Sequence, residues 1–131
     1  MEISAKIIQK YSKYSTPQLK LKASKKFRAF IRRRDAGEQC ISCDSWNTSD
    51  ASHYFSAGNY PALEFDPDNC HTACRKCNYF LSGNLVEYHK KLLKKIGEER
   101  VLKLEEKAAF YKRNGWKHSR IFLIEKLLQY Q

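Results

Sequence analysis

Long apolar runs are missing from these 131 residues. Nothing approaches the roughly 20 consecutive apolar residues that a membrane helix needs, and residues 1–20 lack the apolar segment of a secretory signal. These absences predict a chain that works in a reducing cytoplasm and has no membrane partner. Glycine and proline are also scarce, at five and three, and no stretch is of low complexity or repeats beyond two cysteine pairs. Collagen-like, linker-like and solenoid architectures are thereby excluded. Acidic residues are outnumbered by basic ones, 14 to 25. Five cysteines, an odd number, fit a complete disulfide framework poorly.

What is present is unevenly placed. Residues 1–35 carry a net charge of +9, residues 36–81 a net of −4, and residues 82–131 a net of +6. An acidic centre between two basic arms suits a protein that holds a cation in the middle and grips a polyanion at its flanks; nucleic acid is the commonest such polyanion. The length predicts one domain over 1–131, with a basic N-terminal helical arm (1–37), a central core (38–90) and C-terminal helices (91–131).

Helical periodicity frames the centre. After a loose or weakly helical start, Thr16-Pro17 reads as an N-cap with proline at the first helical position. Leu19, Ala23, Phe27, Phe30 and Ile31 then form an apolar stripe that runs toward a stop at Gly37. Lys25, Arg28, Arg32 and Arg33 are on the remaining, cationic surface and are candidate phosphate contacts. Two short strands are expected near Asp50–Tyr54 and Leu63–Phe65. Beyond Cys77, Ser82 is expected to cap a helix carrying Leu85, Tyr88, Leu92 and Ile96. Further helices carry Val101, Leu104, Ala108 and Tyr111, and then Ile121, Ile124, Leu127 and Leu128. His89 and His118 are read as surface or packing residues.

The strongest local signal is Cys40-Ile-Ser-Cys43 paired with Cys74-Arg-Lys-Cys77. Two such knuckles bring four thiolates together, the shell a structural zinc prefers, and four thiolates leave no position open for water. Cys70 is left over and reads as a packed strand residue. Arg75 and Lys76, at the second knuckle's tip, are further phosphate-contact candidates.

Between the knuckles lies Asp50-Ala-Ser-His53, followed by Asn69-Cys-His71-Thr-Ala-Cys74 and then Asn78 directly after Cys77. With that order the chain resembles the zinc-containing HNH nucleases. The resemblance implies an α+β fold: a small ββα-metal (HNH) core with zinc knuckles, flanked by the basic N-terminal helix and the C-terminal helices. It implies that His53 is the general base, that Asn69 holds its ring, and that Asn78 helps hold a catalytic divalent metal, Mg²⁺ or Mn²⁺. The chemistry is coherent. Neutral histidine takes a proton from water near pH 7, and a hard cation stabilises charge on the phosphorane and leaving oxygen. Where many HNH enzymes have aspartate just before the histidine, this chain has Ser52. Asp50, two residues back on the same strand face, is the substitute metal ligand considered, and His71 is a second candidate ligand or phosphate contact.

The resemblance extends further. Phe30-Ile-Arg-Arg-Arg-Asp35, Cys40-Ile-Ser-Cys43, Asp50-Ala-Ser-His53-Tyr, Asp68-Asn69-Cys-His71, Cys74-Arg-Lys-Cys77-Asn78, Ser82-Gly-Asn84-Leu-Val-Glu-Tyr88 and Ile96-Gly-Glu-Glu are together similar to the phage NinG (Rap) recombination endonucleases. That likeness implies hydrolysis of branched DNA such as D-loops and Holliday junctions, with a homodimer as a possible form. Two other functions fit the same residues. One is a non-catalytic zinc module that binds DNA or a recombination partner. The other is an HNH restriction-type or nicking enzyme acting on linear duplex.

Overall fold

Ser15 starts the longest helix by a reciprocal cap. Its hydroxyl accepts the Gln18 amide at 3.3 Å, and the Gln18 side chain accepts the Ser15 amide at 2.8 Å. The cap therefore sits one residue before the expected Thr16, which is already helical. In the computed structural model, which describes residues 2–131, this helix is α2 (Thr16–Arg34). It follows a short α1 (Ala5–Lys10) capped by Ser4. Leu19, Ala23, Phe27 and Ile31 are wholly buried along one face of α2, with Phe30 packed at their margin.

Two antiparallel strands follow, β1 (Asp50–His53) and β2 (Cys70–Ala73), in a register that pairs Asp50 with Ala73 and His53 with Cys70. The second strand is not at Leu63–Phe65 as expected. Pro61–Leu63 is a single 3-10 turn, from which Leu63 and Phe65 still enter the core. Pro61 has no amide to give a ladder, and a short apolar run buries equally well from a turn.

The sheet separates two cores. On one face Ala51 and Cys70 pack with α2 and with α5 (Arg120–Gln129), through Phe27, Leu123, Ile124 and Leu127. On the other, Ala73, Cys74 and Cys77 pack with α3 (Leu85–Ile96) and α4 (Glu98–Asn114), through Tyr88, Leu92, Val101 and Leu104. Between β2 and α3 the chain makes one wide π-helical turn, Lys76–Phe80. Helix α3 is not capped by Ser82. Ser82, Gly83 and Asn84 all take positive φ (49°, 94° and 48°), and Asn84 is the residue that precedes the helix. This left-handed run turns the Gly83 carbonyl back onto the Ser42 hydroxyl, which donates to it at 3.0 Å. The φ of Gly83 favours glycine, while a Cβ there would meet only the exposed Leu85 side-chain tip, at 3.0 Å, which can move aside.

A two-stranded sheet leaves both outer edges without a strand. Along β2 that edge is met by side chains and a loop amide. Asp35 accepts the Thr72 amide at 3.0 Å, Arg34 donates to the Cys70 carbonyl at 2.7 Å, and the Ile41 amide donates to the Thr72 carbonyl at 3.0 Å. Arg34 and Asp35 also pair with each other, at 2.8 and 3.0 Å, and Lys95 of α3 lies 3.4 Å from Asp35. Asp35 is buried. Although burial opposes ionisation, the Arg34 and Thr72 hydrogen bonds and the Lys95 charge hold its carboxyl well below the usual range.

Asp35→Ala is expected to cost about 1–3 kcal/mol, because it leaves the buried Thr72 amide without its acceptor and removes the partner of Arg34. Urea denaturation measures this. Since the folded pKa is depressed, the carboxylate's stabilisation is complete above the ordinary value of about 3.9 and fades as pH falls below it. The variant's stability should therefore fall less steeply than that of wild type as pH drops below about 4, and the gap between the two should narrow toward acid pH.

Among the described residues no helix is long and apolar enough to cross a membrane.

Candidate functional site

The two cysteine knuckles meet at one end of the sheet. Cys40, Cys43, Cys74 and Cys77 bring their sulfurs within 4.8 Å of one another, with Cys43 and Cys74 3.6 Å apart, and none is in a disulfide. A tetrahedral ion with metal–sulfur bonds of about 2.3 Å sets sulfur–sulfur edges of about 3.8 Å, so the spacing fits a metal. The surrounding amides fit thiolates too. Ser42 N–H donates to Cys40 Sγ and Cys77 N–H to Cys74 Sγ, each at 3.4 Å, and the Asn84 amide reaches Cys77 Sγ at 3.6 Å. With no cation, burial and the neighbouring thiols push Cys77 up to about 12. A bound divalent ion removes that penalty. Among the described residues this is the one group of three or more His, Cys, Asp or Glu side chains whose ligand atoms converge.

Cys70 is no part of it. As its surroundings suggest, it is a fully buried strand residue, and burial pushes its thiol up to about 12.

His53 ends β1, half-buried, with its ring 6.1 Å from that of Phe27. Its Nε2 lies 2.8 Å from the Glu64 carbonyl oxygen. A carbonyl only accepts, so Nε2 carries the proton and Nδ1 keeps a free lone pair. Burial lowers the His53 pKa, Arg28 lowers it further, and Glu64 opposes both. The imidazole is therefore neutral near pH 7.

Asn69 does not touch that ring, contrary to expectation. Its Oδ1 accepts the Phe55 amide at 2.8 Å, and its Nδ2 donates to the Phe55 and Leu63 carbonyls at 2.9 and 3.1 Å. The amide side chain, wholly buried, clamps the chain on both sides of the loop that carries the Glu64 carbonyl. It orders the histidine's partner and not the histidine. Sequence reading cannot find Glu64 in this role, since any residue supplies a carbonyl. The Glu64 carboxylate is in turn held by Ser24 Oγ at 2.5 Å and His118 Nε2 at 3.3 Å. His118 is thus a packing residue.

Asp50 and Asn78 do meet. Asn78 Nδ2 donates to Asp50 Oδ2 at 2.9 Å, and Asp50 also accepts from Ser49 at 2.9 Å. Arg75 Nε lies 3.0 Å from the same carboxylate. Although burial raises the Asp50 pKa, these partners outweigh it and keep the group ionised. Arg75 is therefore an ion-pair partner of Asp50 whose side chain stays 65% exposed, and Lys76 is exposed beside it. Asp50 supplies the oxygens here, while Asn78 presents its amide nitrogen; of the Asn78 side chain only the oxygen could join Asp50 on a hard cation that retains most of its waters.

Strand alternation puts Asp50 and Ser52 on the α3 face and His53 on the α2 face. The sheet therefore separates the pair from the ring. His71 shares the Asp50 face but is 1% exposed, and its Nδ1 lies 3.3 Å from the Tyr88 hydroxyl, which donates to the Ser52 carbonyl at 2.7 Å. Burial, then Lys95 and Arg34, lowers its pKa to about 3. It is a neutral packing histidine, which corrects its expected part as ligand or phosphate contact. Lys25, Arg32 and Arg33 project from α2 into solvent, and Arg28 is half-buried near His53.

Comparison with known proteins agrees with the resemblance to the NinG family. A family described as the bacteriophage lambda NinG protein matches residues 4–126. Protein ninG of Escherichia phage 933W is 44% identical over 79 residues, 59% of this chain and 39% of its own length. Protein ninG of Escherichia phage lambda is 43% identical over 79 residues, with the same coverage of each. Protein ninG of Salmonella phage P22 is 40% identical over 90 residues, 67% of this chain and 43% of its own length. The matched region spans less than half of these relatives. No solved structure matches the chain.

Proposed function

Since the chain belongs to the NinG family of phage proteins, we propose that it is a metal-dependent DNA endonuclease of the HNH type that hydrolyses phosphodiesters in branched recombination intermediates such as D-loops and Holliday junctions. The observation that carries this reading is the state of His53: a neutral ring whose Nε2–H is fixed by the Glu64 carbonyl and whose Nδ1 is free. Such a group is a general base ready to take a proton from water. Zinc in the four-cysteine site is the structural staple. Asp50 and the Asn78 side-chain oxygen would hold a divalent ion such as Mg²⁺ or Mn²⁺, which would supply Lewis-acid stabilisation of the phosphate.

The two halves of this site act from opposite sheet faces. Asp50 and His53 lie three residues apart on β1, and cleavage by Asp50→Ala and His53→Ala variants tests whether both serve one reaction. Lys25, Arg32, Arg33 and Lys76 contribute backbone attraction without sequence readout, and the reaction belongs in the host cytoplasm. A homodimer would present two sites to opposite strands of a junction.

Cleavage of matched linear, D-loop and four-way-junction DNA with Mg²⁺ or Mn²⁺ tests the proposal. Wild type should cut the branched forms preferentially. Asp50→Ala and Asn78→Ala should each raise the half-saturating metal concentration by about 10–100-fold. The ion pair that Arg75 makes with Asp50 favours a second reading, a non-catalytic zinc module that binds DNA. Tight binding without cutting under either metal would establish that reading instead.

A further inference from the structure

The π-helical turn ends in an unusual surface. Of the eleven large apolar side chains left exposed among the described residues, five fall between positions 79 and 86: Tyr79, Phe80, Leu81, Leu85 and Val86. Tyr79 and Phe80 are 69% and 72% exposed. Their rings stand edge to face, with centroids 5.1 Å apart and planes at 84°. Packing does not explain them, since neither belongs to a core cluster. A wide π turn is a costly local geometry that recurs at functional sites. Here it throws two aromatic rings outward directly after Asn78.

Position decides what occupies them. Asn78 meets Asp50 at 2.9 Å, and the exposed Lys76 and the 65%-exposed Arg75 side chain lie on the same turn. A protein docked on these rings would cover the candidate metal ligands and bury two cations. A nucleic acid strand entering the site must pass beside them, with its phosphates toward the cations and its bases free to stack. Every base has a π-face, so such a platform selects strands with unstacked bases and reads no sequence.

We propose that Tyr79 and Phe80 form a stacking platform for an unpaired base of the DNA strand held at the Asp50–Asn78 site. Because the rings are perpendicular, one presents its face to the base and the other braces it. The inference rests on the endonuclease reading above for its substrate, but it concerns binding and is tested without cleavage.

Without added Mg²⁺ or Mn²⁺ and without chelator, so that the four-cysteine site keeps its zinc, fluorescence anisotropy measures the affinity of the full chain for a labelled single strand, and for the same strand annealed into linear duplex. The single, double Tyr79→Ala/Phe80→Ala and conservative Tyr79→Phe/Phe80→Tyr variants are compared, each shown by circular dichroism to keep the wild-type fold. The double alanine variant should lose about tenfold or more in single-strand affinity and less than about twofold for duplex, and the conservative variant should retain both. A 2-aminopurine placed in the strand should be quenched by wild type and not by the double alanine variant. Equal losses on both DNA forms, or no loss on the single strand, would overturn the platform while leaving the nuclease reading intact. A change in sedimentation of the DNA-free variant would overturn it in favour of a surface between copies of this chain. If wild type binds neither DNA form, both proposals fail together; if it binds both forms and cuts nothing with metal, only the nuclease reading fails.

Discussion

His53→Ala is expected to lower metal-dependent cleavage by a factor on the order of 10²–10⁴, the usual loss when a general base is removed. Stability should change little, since the ring is half-buried at a strand end and shares one hydrogen bond with the Glu64 carbonyl. The pH dependence distinguishes a base from a merely structural imidazole. Only the neutral ring can accept a proton. Because burial and Arg28 lower its pKa, activity should fall on the acid side with a midpoint below the ordinary histidine value of about 6.5. The neutral form dominates above that midpoint and is lost as pH falls through it. A midpoint at or above the ordinary value, or a His53→Ala enzyme that keeps its activity, would remove His53 from the reaction.

Loss of the proposed zinc should have the largest effect on stability. Structural zinc in small peptides contributes apparent binding energies of about 10–16 kcal/mol at pH 7, which exceeds the whole stability of many small domains. The four sulfurs join the loop before β1 to the turn after β2, 31 residues apart at their closest pair. Chelation, or Cys74→Ser, should therefore release the second core, in which Cys40, Cys74 and Cys77 pack with Tyr88 and Leu92. The expected result is one zinc per chain by elemental analysis, and a large fall in thermal midpoint with 1,10-phenanthroline or in the variant. Cys70→Ala offers the contrast: it leaves metal content at one and costs only the packing of a buried side chain. A chain that purifies without metal and melts identically with chelator would refute the zinc assignment.

The elements that could be located from sequence were those set by a period or by a metal-ligand spacing. Leu19, Ala23, Phe27 and Ile31 recur at helical intervals, and all four are buried in α2. Gly97 and Gly115 close α3 and α4 in the left-handed region, where their lack of a Cβ matters. The cysteine pairs converge because four soft ligands have few other shared uses. The second strand was harder to place, because Leu63 and Phe65 satisfy burial from a turn while the strand itself, Cys70–Ala73, carries no alternation and is buried on both faces. Backbone partners were invisible for a different reason: neither the Glu64 carbonyl at His53 nor the Asn69 clamp on Phe55 and Leu63 depends on the identity of the residue that supplies the oxygen. The motif-like spacing of His71 from Asn69 suggests a site residue, whereas strand register turns it inward against Tyr88.

The packing of α2 on α5 has a consequence during synthesis. The buried face of the basic helix is covered by Leu123, Ile124 and Leu127, which are translated long after it. At about 5–20 residues per second, Leu19, Phe27 and Ile31 wait several seconds outside the ribosome for their partners. The knuckles need only the segment through Cys77, so the ion can be captured while that face is still open. The nascent chain would then hold its ligand cage closed and a greasy, positively charged helix unpaired, a state in which ribosomal RNA and chaperones compete for it. Any lesion that delays or removes Arg120–Gln129 should accordingly show as aggregation of newly made protein that still carries its metal.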